Sequence, residues 1–370
     1  MANNNKHTGP NVPALRFPEF SGEWEKALLS SACEINPKTG SLDNQFLYID
    51  LESVVKGSLV KRQIIEKDGA PSRAQRVLKE NDILYQCVRP YQLNNYIFEG
   101  DTIQCVASTG YAQLRTTQFP LYIFQALHTK QFTNQVLERC TGTNYPAINS
   151  SDLGTVEVPI CSLPEQVKIG SLLALIDSRI KTQSKIIEEQ ETFLKSLADS
   201  LISSQVANMA LNDSVVARSS TMKESELENS GPFPVFGASG LCGYSNEALE
   251  ESDSILVTKD GSGVGTCQYA TGAHSFLGTL CSLTAKEGTY LPYVYYALLN
   301  FNFASFKTGL AIPHIYFKDY GNAIIYCPSY DEQVRIASGL EKIEAKIKSE
   351  KEILKQYQLQ KEYLLSRMFI

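Results

Sequence analysis

Residues 141–181 read TGTNYPAINSSDLGTVEVPICSLPEQVKIGSLLALIDSRIK, and residues 308–348 read TGLAIPHIYFKDYGNAIIYCPSYDEQVRIASGLEKIEAKIK. The two stretches align without a gap at a period of 167 residues. Thr141-Gly142 falls on Thr308-Gly309, Pro146 on Pro313, Ile148 on Ile315, Asp152 on Asp319 and Gly154 on Gly321. Glu165-Gln166-Val167 falls on Glu332-Gln333-Val334, and the apolar positions that follow keep step. At least 15 of 41 positions are identical, where chance gives roughly two or three at ordinary residue frequencies. The chain is an internal duplication, and a long period of this kind sets the architecture before any single motif does.

Each copy runs from a globular segment into a long helix. Pro164 and Asp331 stand at the start, and Glu165 and Glu332 occupy the first turn, where negative charge suits the helix dipole. Apolar residues then recur in alternating steps of four and three. In the first copy Leu173, Ile180, Ile187, Leu194 and Leu201 form one column, and Ile169, Ile176, Gln183, Gln190 and Leu197 the other. In the second copy the columns are Leu340, Ile347, Leu354, Lys361, Met368 and Ile336, Ile343, Glu350, Tyr357, Leu364. This is a heptad seam of about five repeats. Each helix would be about 55 Å long at 1.5 Å per residue. Alone, it would leave its stripe wet, at a loss of about 1.5–3 kcal/mol per Leu or Ile. The obvious partner is the other copy. Gln183 and Glu350 share one seam position, where a polar residue fixes register.

The expected fold is therefore α+β: two mixed α/β domains separated by two long helices that pair as an antiparallel coiled coil, with an internal pseudo-twofold. The boundaries expected are an N-terminal arm over 1–19, a first domain over 20–162, a helix over 163–205, a linker over 206–229, a second domain over 230–327 and a second helix over 328–370. Within the domains, Phe46–Leu51, Asp82–Val88, Asp101–Val106, Leu121–Phe124, Asp253–Thr258, Gly265–Ala270 and Thr279–Leu283 read as strands. Phe132–Cys140 and Leu291–Asn300 read as helices.

Bulk properties narrow the classes. The 370 residues suit two domains with connectors. The nine cysteines are scattered, with no C-x-x-C pair, so reduced buried thiols are expected rather than a disulfide framework or a zinc site. The first ten residues are polar, and no apolar run reaches the roughly 18–20 residues of a membrane span, so a cytoplasmic chain without a leader is expected. The net charge of −6 argues against a uniformly basic nucleic-acid binder, but the distribution is uneven. Residues 55–79 hold Lys56, Lys61, Arg62, Lys67, Arg73, Arg76 and Lys79 against Glu66 and Asp68, whereas residues 224–253 hold seven acids and no base. A local basic face can attract phosphates while acidic faces elsewhere preserve solubility or meet a partner.

Several segments carry a family likeness. They are Leu15-Arg16-Phe17-Pro18-Glu19-Phe20 with Trp24, Ala70-Pro71-Ser72-Arg73-Ala74 with Asp82-Ile83-Leu84 and Arg89-Pro90, and Ser108-Thr109-Gly110-Tyr111. The two Thr-Gly…Pro…Ile…Asp junctions into Glu-Gln-Val belong with them, as does Gly231-Pro232-Phe233-Pro234-Val235-Phe236-Gly237. In their order, and with the duplication, they resemble the specificity subunits of type I restriction–modification systems over nearly the whole chain. The second half departs from the first: it has no counterpart of Phe17–Trp24 and is shorter.

The resemblance implies a non-catalytic subunit in which each domain reads one half of a split target in double-stranded DNA. The helices would dock DNA adenine methyltransferase subunits, two of them, together with restriction/translocase subunits, and no cofactor, metal or membrane would be involved. Arg, Asn and Gln are the side chains that read G and A edges bidentately. In the first domain Arg73, Arg76, Arg89, Gln92, Asn94 and Asn95, with Tyr91 between them, are the candidate readers, and Lys56, Lys61, Arg62 and Lys67 the phosphate contacts. In the second domain Lys259 and Ser262, in the Gly-rich stretch 258–265, are candidates, with Lys307 and His314 behind them.

Catalytic alternatives find little footing. The Gly-rich stretch lacks the Gly-Lys-Ser/Thr of a nucleotide loop. Asn36-Pro37-Lys38-Thr39 fails after two residues as a methyltransferase motif, and Glu344-Ala345-Lys346 lies on the heptad helix as charged flank. A self-sufficient DNA-modifying enzyme, and a coiled-coil scaffold with no DNA role, are the competing classes. Methyl transfer by the pure chain would favour the enzyme, and salt-insensitive behaviour towards DNA would favour the scaffold.

Overall fold

The computed structural model describes residues 11–309 and 312–370. The chain divides into two units, one of residues up to 182 with 354–370, the other of residues 183–353. The division cuts both long helices, so each unit contains one globular portion and a length of both. Of the N-terminal arm expected over 1–19, residues 1–10 lie outside the described residues.

Unit 1 begins with β1 (Glu25–Leu28), a single turn α1 (Leu29–Ala32) and β2 (Cys33–Ile35). There follow β3 (Gln45–Ile49), the hairpin β4 (Val54–Val55) and β5 (Ser58–Leu59), β6 (Gln63–Glu66) and β7 (Ala74–Val77). Next come β8 (Ile83–Gln86), β9 (Tyr96–Ile97), β10 (Cys105–Ser108) and β11 (Tyr111–Thr116). Then α2 (Pro120–Ala126), α3 (Lys130–Glu138), α4 (Ser150–Gly154) and β12 (Glu157–Ile160) lead into the long helix α5 (Leu163–Ala198). Two four-stranded sheets result, ordered β6-β3-β10-β7 and β2-β11-β8-β9. Only β3 and β10 run parallel, and β1 pairs with β12 immediately before α5.

Leu121–Phe124, expected as a strand, lies in α2. A run of four apolar residues has no readable period. Pro120 fixes the first helical turn, and the run is buried on nearly every side, so alternation could not report it. Other strands are shorter than expected, Ile83–Gln86 within 82–88 and Cys105–Ser108 overlapping only the end of 101–106.

The main core of unit 1 joins both ends of the chain to the helices. Trp24, Leu29, Tyr122, Phe132, Ile169 and Leu173 pack with Met368 and Phe369 of the C-terminus. The Trp24 ring meets Tyr122 and Phe369 edge-on at 6.2 Å each. The Arg16 guanidinium makes a two-pronged bond to Glu165 (2.7 and 2.8 Å), with side-chain exposures of 3% and 1%. The first-turn carboxylate of α5 thus neutralises a buried cation, in addition to facing the helix dipole.

Unit 2 contains β13 (Met209–Ala210), the single turn α6 (Leu211–Ser214), β14 (Val215–Ser219), β15 (Phe233–Gly237) and β16 (Gly240–Ser245). It continues with β17 (Ser254–Thr258), β18 (Cys267–Ala270), β19 (Ser275–Phe276), β20 (Leu280–Ala285), α7 (Leu291–Leu299), α8 (Phe317–Tyr320) and β21 (Ile324–Ile325) before the second long helix, α9 (Tyr330–Met368). Its sheets are ordered β14-β20-β17-β18 and β16-β15-β19, with β13 paired to β21 ahead of α9. The parallel pair β15/β19 stands where unit 1 has β3/β10. Two pieces of unit 1 have no partner here: the β4–β5 hairpin and the edge strand β7. They carry or flank Lys56, Lys61, Arg73 and Arg76, so the basic segment belongs to unit 1 alone.

The helix junctions are built alike. Gln166 accepts from the Phe119 amide (3.1 Å) and donates to the Cys161 carbonyl (2.8 Å), while Gln333 accepts from the Tyr290 amide (2.9 Å) and donates to the Pro328 carbonyl (2.9 Å). Tyr122 and Tyr293 hydroxyls donate to the carbonyls of Pro159 and Tyr326. The repeated glutamine is therefore a buried clasp between each long helix and the domain helix before it.

Both helices show the expected seam. In unit 1, α5 and α9 run antiparallel, with Asp177 bonded to Lys361 (2.5 Å) and Arg179 over the Tyr357 ring. In unit 2, Gln183 donates to the Glu350 carboxylate at 2.6 Å, and Lys351 meets Glu191. Gln183 and Glu350 are the same position of the repeat, so within unit 2 equivalent positions of the two helices are in contact. One expected seam residue is displaced. Leu201 is exposed and Ile202 buried, because residues Asp199–Ser203 form a wider π turn that shifts the phase.

Candidate nucleic-acid interface

In unit 1 two loops meet at the end of β8. One is residues 87–95, the other 141–147. Backbone bonds join them, from Arg89 to the Pro146 carbonyl (2.7 Å) and from Ile148 to the Cys87 carbonyl (3.0 Å), while Thr141 and Ala147 exchange two bonds. Gly142 sits at φ +89 with a would-be Cβ 3.0 Å from the Tyr145 carbonyl, so the turn requires glycine. From inside, the buried Gln86 staples the first loop. Its amide donates to Val88 O (2.8 Å) and Gln92 Oε1 (2.9 Å), and its oxygen accepts from the Asn94 amide (3.1 Å). Arg89 and Leu93 take φ +53 and +54 around a 3-10 turn at Pro90–Gln92, a conformation that non-glycine residues hold only when their surroundings impose it. The Arg89 guanidinium lies 4.3 Å from the Tyr145 ring centre. Tyr91 and Tyr145 are 51% and 65% exposed.

The candidate residues separate on this frame. Arg89, Tyr91, Gln92 and Asn94 come together on it. Lys56 joins them, since its amide donates to Asn94 Oδ1 (2.9 Å) from the tip of the β4–β5 hairpin. Asn95 does not face outward: it is 1% exposed, accepts from the Gln86 amide and contacts His128. The reading of Asn95 as a base-facing side chain is therefore corrected to a loop support. Burial pushes His128 down to about 4, with the Lys361 charge adding to the effect.

The other bases are dispersed. Lys67 adjoins Asn44, before β3, while Arg73 and Arg76 flank Ser108 and Ala107 at the far end of the parallel strand β10. β6 and β7 are opposite edges of their sheet. Lys61 and Arg73 are exposed, and Arg62 is paired with Asp101 at 2.6 Å, which raises the Arg62 pKa and lowers that of Asp101. Arg76 is half-buried. Desolvation lowers its pKa, and its Nε has no hydrogen-bond partner among the described residues.

Unit 2 repeats the frame with other side chains. Thr308 and His314 exchange two backbone bonds, Gly261 donates to the Pro313 carbonyl (3.1 Å), Ile315 donates to the Lys259 carbonyl (2.9 Å), and Gly309 sits at φ +86. In place of Arg89 and Tyr145, His314 Nδ1 meets Asp260 Oδ1 at 2.7 Å, and the imidazole stacks on Tyr316. Ser262 and Lys307 are exposed on the same pair of loops, and Lys259 is half-buried behind them. A groove beside them is lined by Ser219, Lys259, Tyr316 and Lys318.

Sequence reading missed Gln86, Tyr145 and Asp260. The signal for Tyr145 lay in the repeat itself, which keeps the Thr-Gly and Pro of each turn and changes what lies between them. Among the described residues no group of three His, Cys, Asp or Glu could hold a metal, and no helix is long and apolar enough to cross a membrane. Glu344 accepts bonds from Tyr295 and Tyr296, so its carboxylate ties α9 to α7.

The chain is similar to known proteins. The HindI specificity subunit of a type I restriction enzyme from Haemophilus influenzae is 24% identical over 162 residues, 42% of this chain, and the matched part is 32% of that relative's length. The S subunit of a type I restriction–modification system from M. genitalium, solved by crystallography, matches over 97% of this chain and 99% of its own at 19% identity and a TM-score of 0.67. A chain solved in a study of complex assembly and conformational transition in the type I R-M system matches over 94% and 97% at 19% identity, with a TM-score of 0.54. At these identities the two structures establish the fold. The type I restriction modification DNA specificity domain matches residues 22–192 and again 205–358, and the chain belongs to that family, with the domain present twice.

Proposed function

We propose that this chain is the DNA sequence-specificity subunit of a type I restriction–modification complex, without catalysis of its own, each globular portion reading one half of a split target. The first reading domain is taken as residues 20–162. The second is taken as 206–327 rather than the 230–327 expected, because the stretch expected as a linker contributes β13 and β14 to the sheets of unit 2, and the helices over 163–205 and 328–370 act as spacers. The observation that carries the reading is the duplicated two-loop frame: one backbone scaffold, made twice, with exposed polar and aromatic side chains that differ between copies. Two readers of different half-targets need a common way to present loops and different residues on them. In unit 1, Lys56, Lys61 and Lys67 supply phosphate contacts, which set affinity without sequence preference, and Arg73, expected as a base reader, is assigned with them because it lies outside the two-loop frame. Arg62, held by Asp101, contributes less. In unit 2, Lys259, Ser262, Lys307 and His314 remain the candidates.

The partners follow from the family and from the helix pair. DNA adenine methyltransferase subunits supply methyl transfer and restriction/translocase subunits supply cleavage. The duplication gives the two helices like seams and like flanks, which suits two methyltransferase copies. The test is to map methylated adenines across the genome of a host with and without this chain. A split motif that disappears on deletion supports the proposal, and an unchanged methylation pattern removes it.

A further inference from the structure

Seven exposed or half-buried cations of unit 1 are candidates to meet DNA, and their surroundings differ. Lys56, Lys61, Lys67 and Arg73 are exposed, and among the described residues no contact braces their charged groups. Arg62 is spent on Asp101, and Arg76 is half-buried. Arg89 alone combines a fixed position with free donors. Its backbone is locked by the 3-10 turn, by the bond to Pro146 and by the Gln86 staple beneath. Its guanidinium is laid against the Tyr145 ring, and no carboxylate pairs with it among the described residues. A planar fork of donors, held rigid and left unpaired, is what two-point recognition of a guanine edge requires.

We propose that Arg89, braced on Tyr145, is the base-reading group of unit 1 and recognises a guanine in the major groove. This rests on the DNA-specificity reading above. It extends that reading to Tyr145, which acts as a positioning residue by holding the guanidinium plane at a set angle. The duplication sharpens the point. The bond from Arg89 to Pro146 is matched by the bond from Gly261 to Pro313, so Gly261 stands at the Arg89 position of unit 2, also at positive φ. Unit 2 has no side chain there and reads its half through the neighbouring Ser262 and His314. One frame therefore yields two specificities by exchanging an arginine and a glycine at a position whose backbone suits glycine in both.

The experiment uses the full chain and a library of randomised duplex DNA, with bound sequences recovered and read. Arg89→Gly retains the backbone conformation and copies the residue of unit 2. Tyr145→Ala alters an exposed ring, and both variants should unfold with the wild-type profile. Wild type should enrich a split motif. Both variants should lose preference for one G·C pair in one half by about tenfold or more, with the other half intact. An unaltered motif in both variants, an even loss across both halves, or loss at an A·T pair would each overturn the assignment. Absence of any split motif with wild type would instead defeat the specificity reading on which it rests.

Discussion

The two units share a scaffold and differ in what they mount on it. Each has a buried glutamine at the head of its long helix, a tyrosine hydroxyl on the strand before it and a Thr-Gly…Pro turn clasped to a neighbouring loop. Against this constancy, unit 1 adds the β4–β5 hairpin and β7 with their cations, and places Arg89 on Tyr145 where unit 2 has Gly261 and the Asp260–His314 pair. The contrast teaches which residues hold the frame and which are free to change. Groups that satisfy buried backbone polar atoms recur, because an unsatisfied one costs about 1–3 kcal/mol. Groups at the loop tips carry no such debt and have diverged.

The largest expected difference lies at one repeated glutamate. Glu165 is the buried partner of Arg16, whereas Glu332 sits on the surface beside Arg335. Glu165→Ala leaves the Arg16 guanidinium with the Gly22 and Ser21 carbonyls but no carboxylate, and should destabilise unit 1 by about 3 kcal/mol. Trp24 is the chain's single tryptophan and lies in the core of unit 1, so urea unfolding followed by tryptophan fluorescence reads this unit directly. Glu332→Ala should leave the overall melting temperature unchanged. Equal effects from the two substitutions would break the contrast.

Acid should come next. His128 is half-buried, with Nδ1 at 2.6 Å from the Phe124 carbonyl, and desolvation lowers its pKa to about 4 against the ordinary 6.5. Its folded pKa is depressed, so the unfolded chain binds the extra proton first. Stability of unit 1 should be full above pH 6.5 and fall as pH drops from 6.5 towards 4, by up to roughly 3 kcal/mol. By the match of Tyr122 to Tyr293, the corresponding residue of unit 2 is Leu299. His128→Leu should flatten that part of the pH profile, read by the Trp24 unfolding midpoint; a slope as steep as wild type would assign the effect to other groups.

The clasps should behave alike. Gln166→Ala and Gln333→Ala remove the partner of a half-buried backbone amide, that of Phe119 or Tyr290, at about 1–3 kcal/mol apiece. Hydrogen exchange should show faster opening of α2 in the first and of α7 in the second, each within its own unit. The smallest effect expected is electrostatic. Removing Lys56 or Lys61 should lower the slope of log affinity against log salt by about 0.9 each, without altering the motif. Arg62→Ala should do less, since Asp101 already holds that charge.

The helices were legible in the sequence because their period is long and their stripe wide. The shared seam position of Gln183 and Glu350 was legible in the heptads; that the two side chains bond to each other was not. The α2 segment was not legible, since Leu121–Phe124 is buried nearly all round and shows no alternation. Asn95 was misplaced for a different reason. Composition marks an amide in a loop as available, but the chain folds Gln86 beneath that loop and uses the amide inside. Tyr145 could have been found by asking what varies within a turn whose ends are kept. Its contact with Arg89 joins residues 56 apart in sequence, a proximity that no local pattern reports.

The most direct test of two independent readers on one frame is an exchange of residues 20–160 for those of a relative, followed by mapping of methylated adenines in cells that contain the partner subunits. The account predicts that one half of the split motif changes while the other half and the spacing between them stay as they were. A change in both halves, or a motif that keeps its original form, would contradict it.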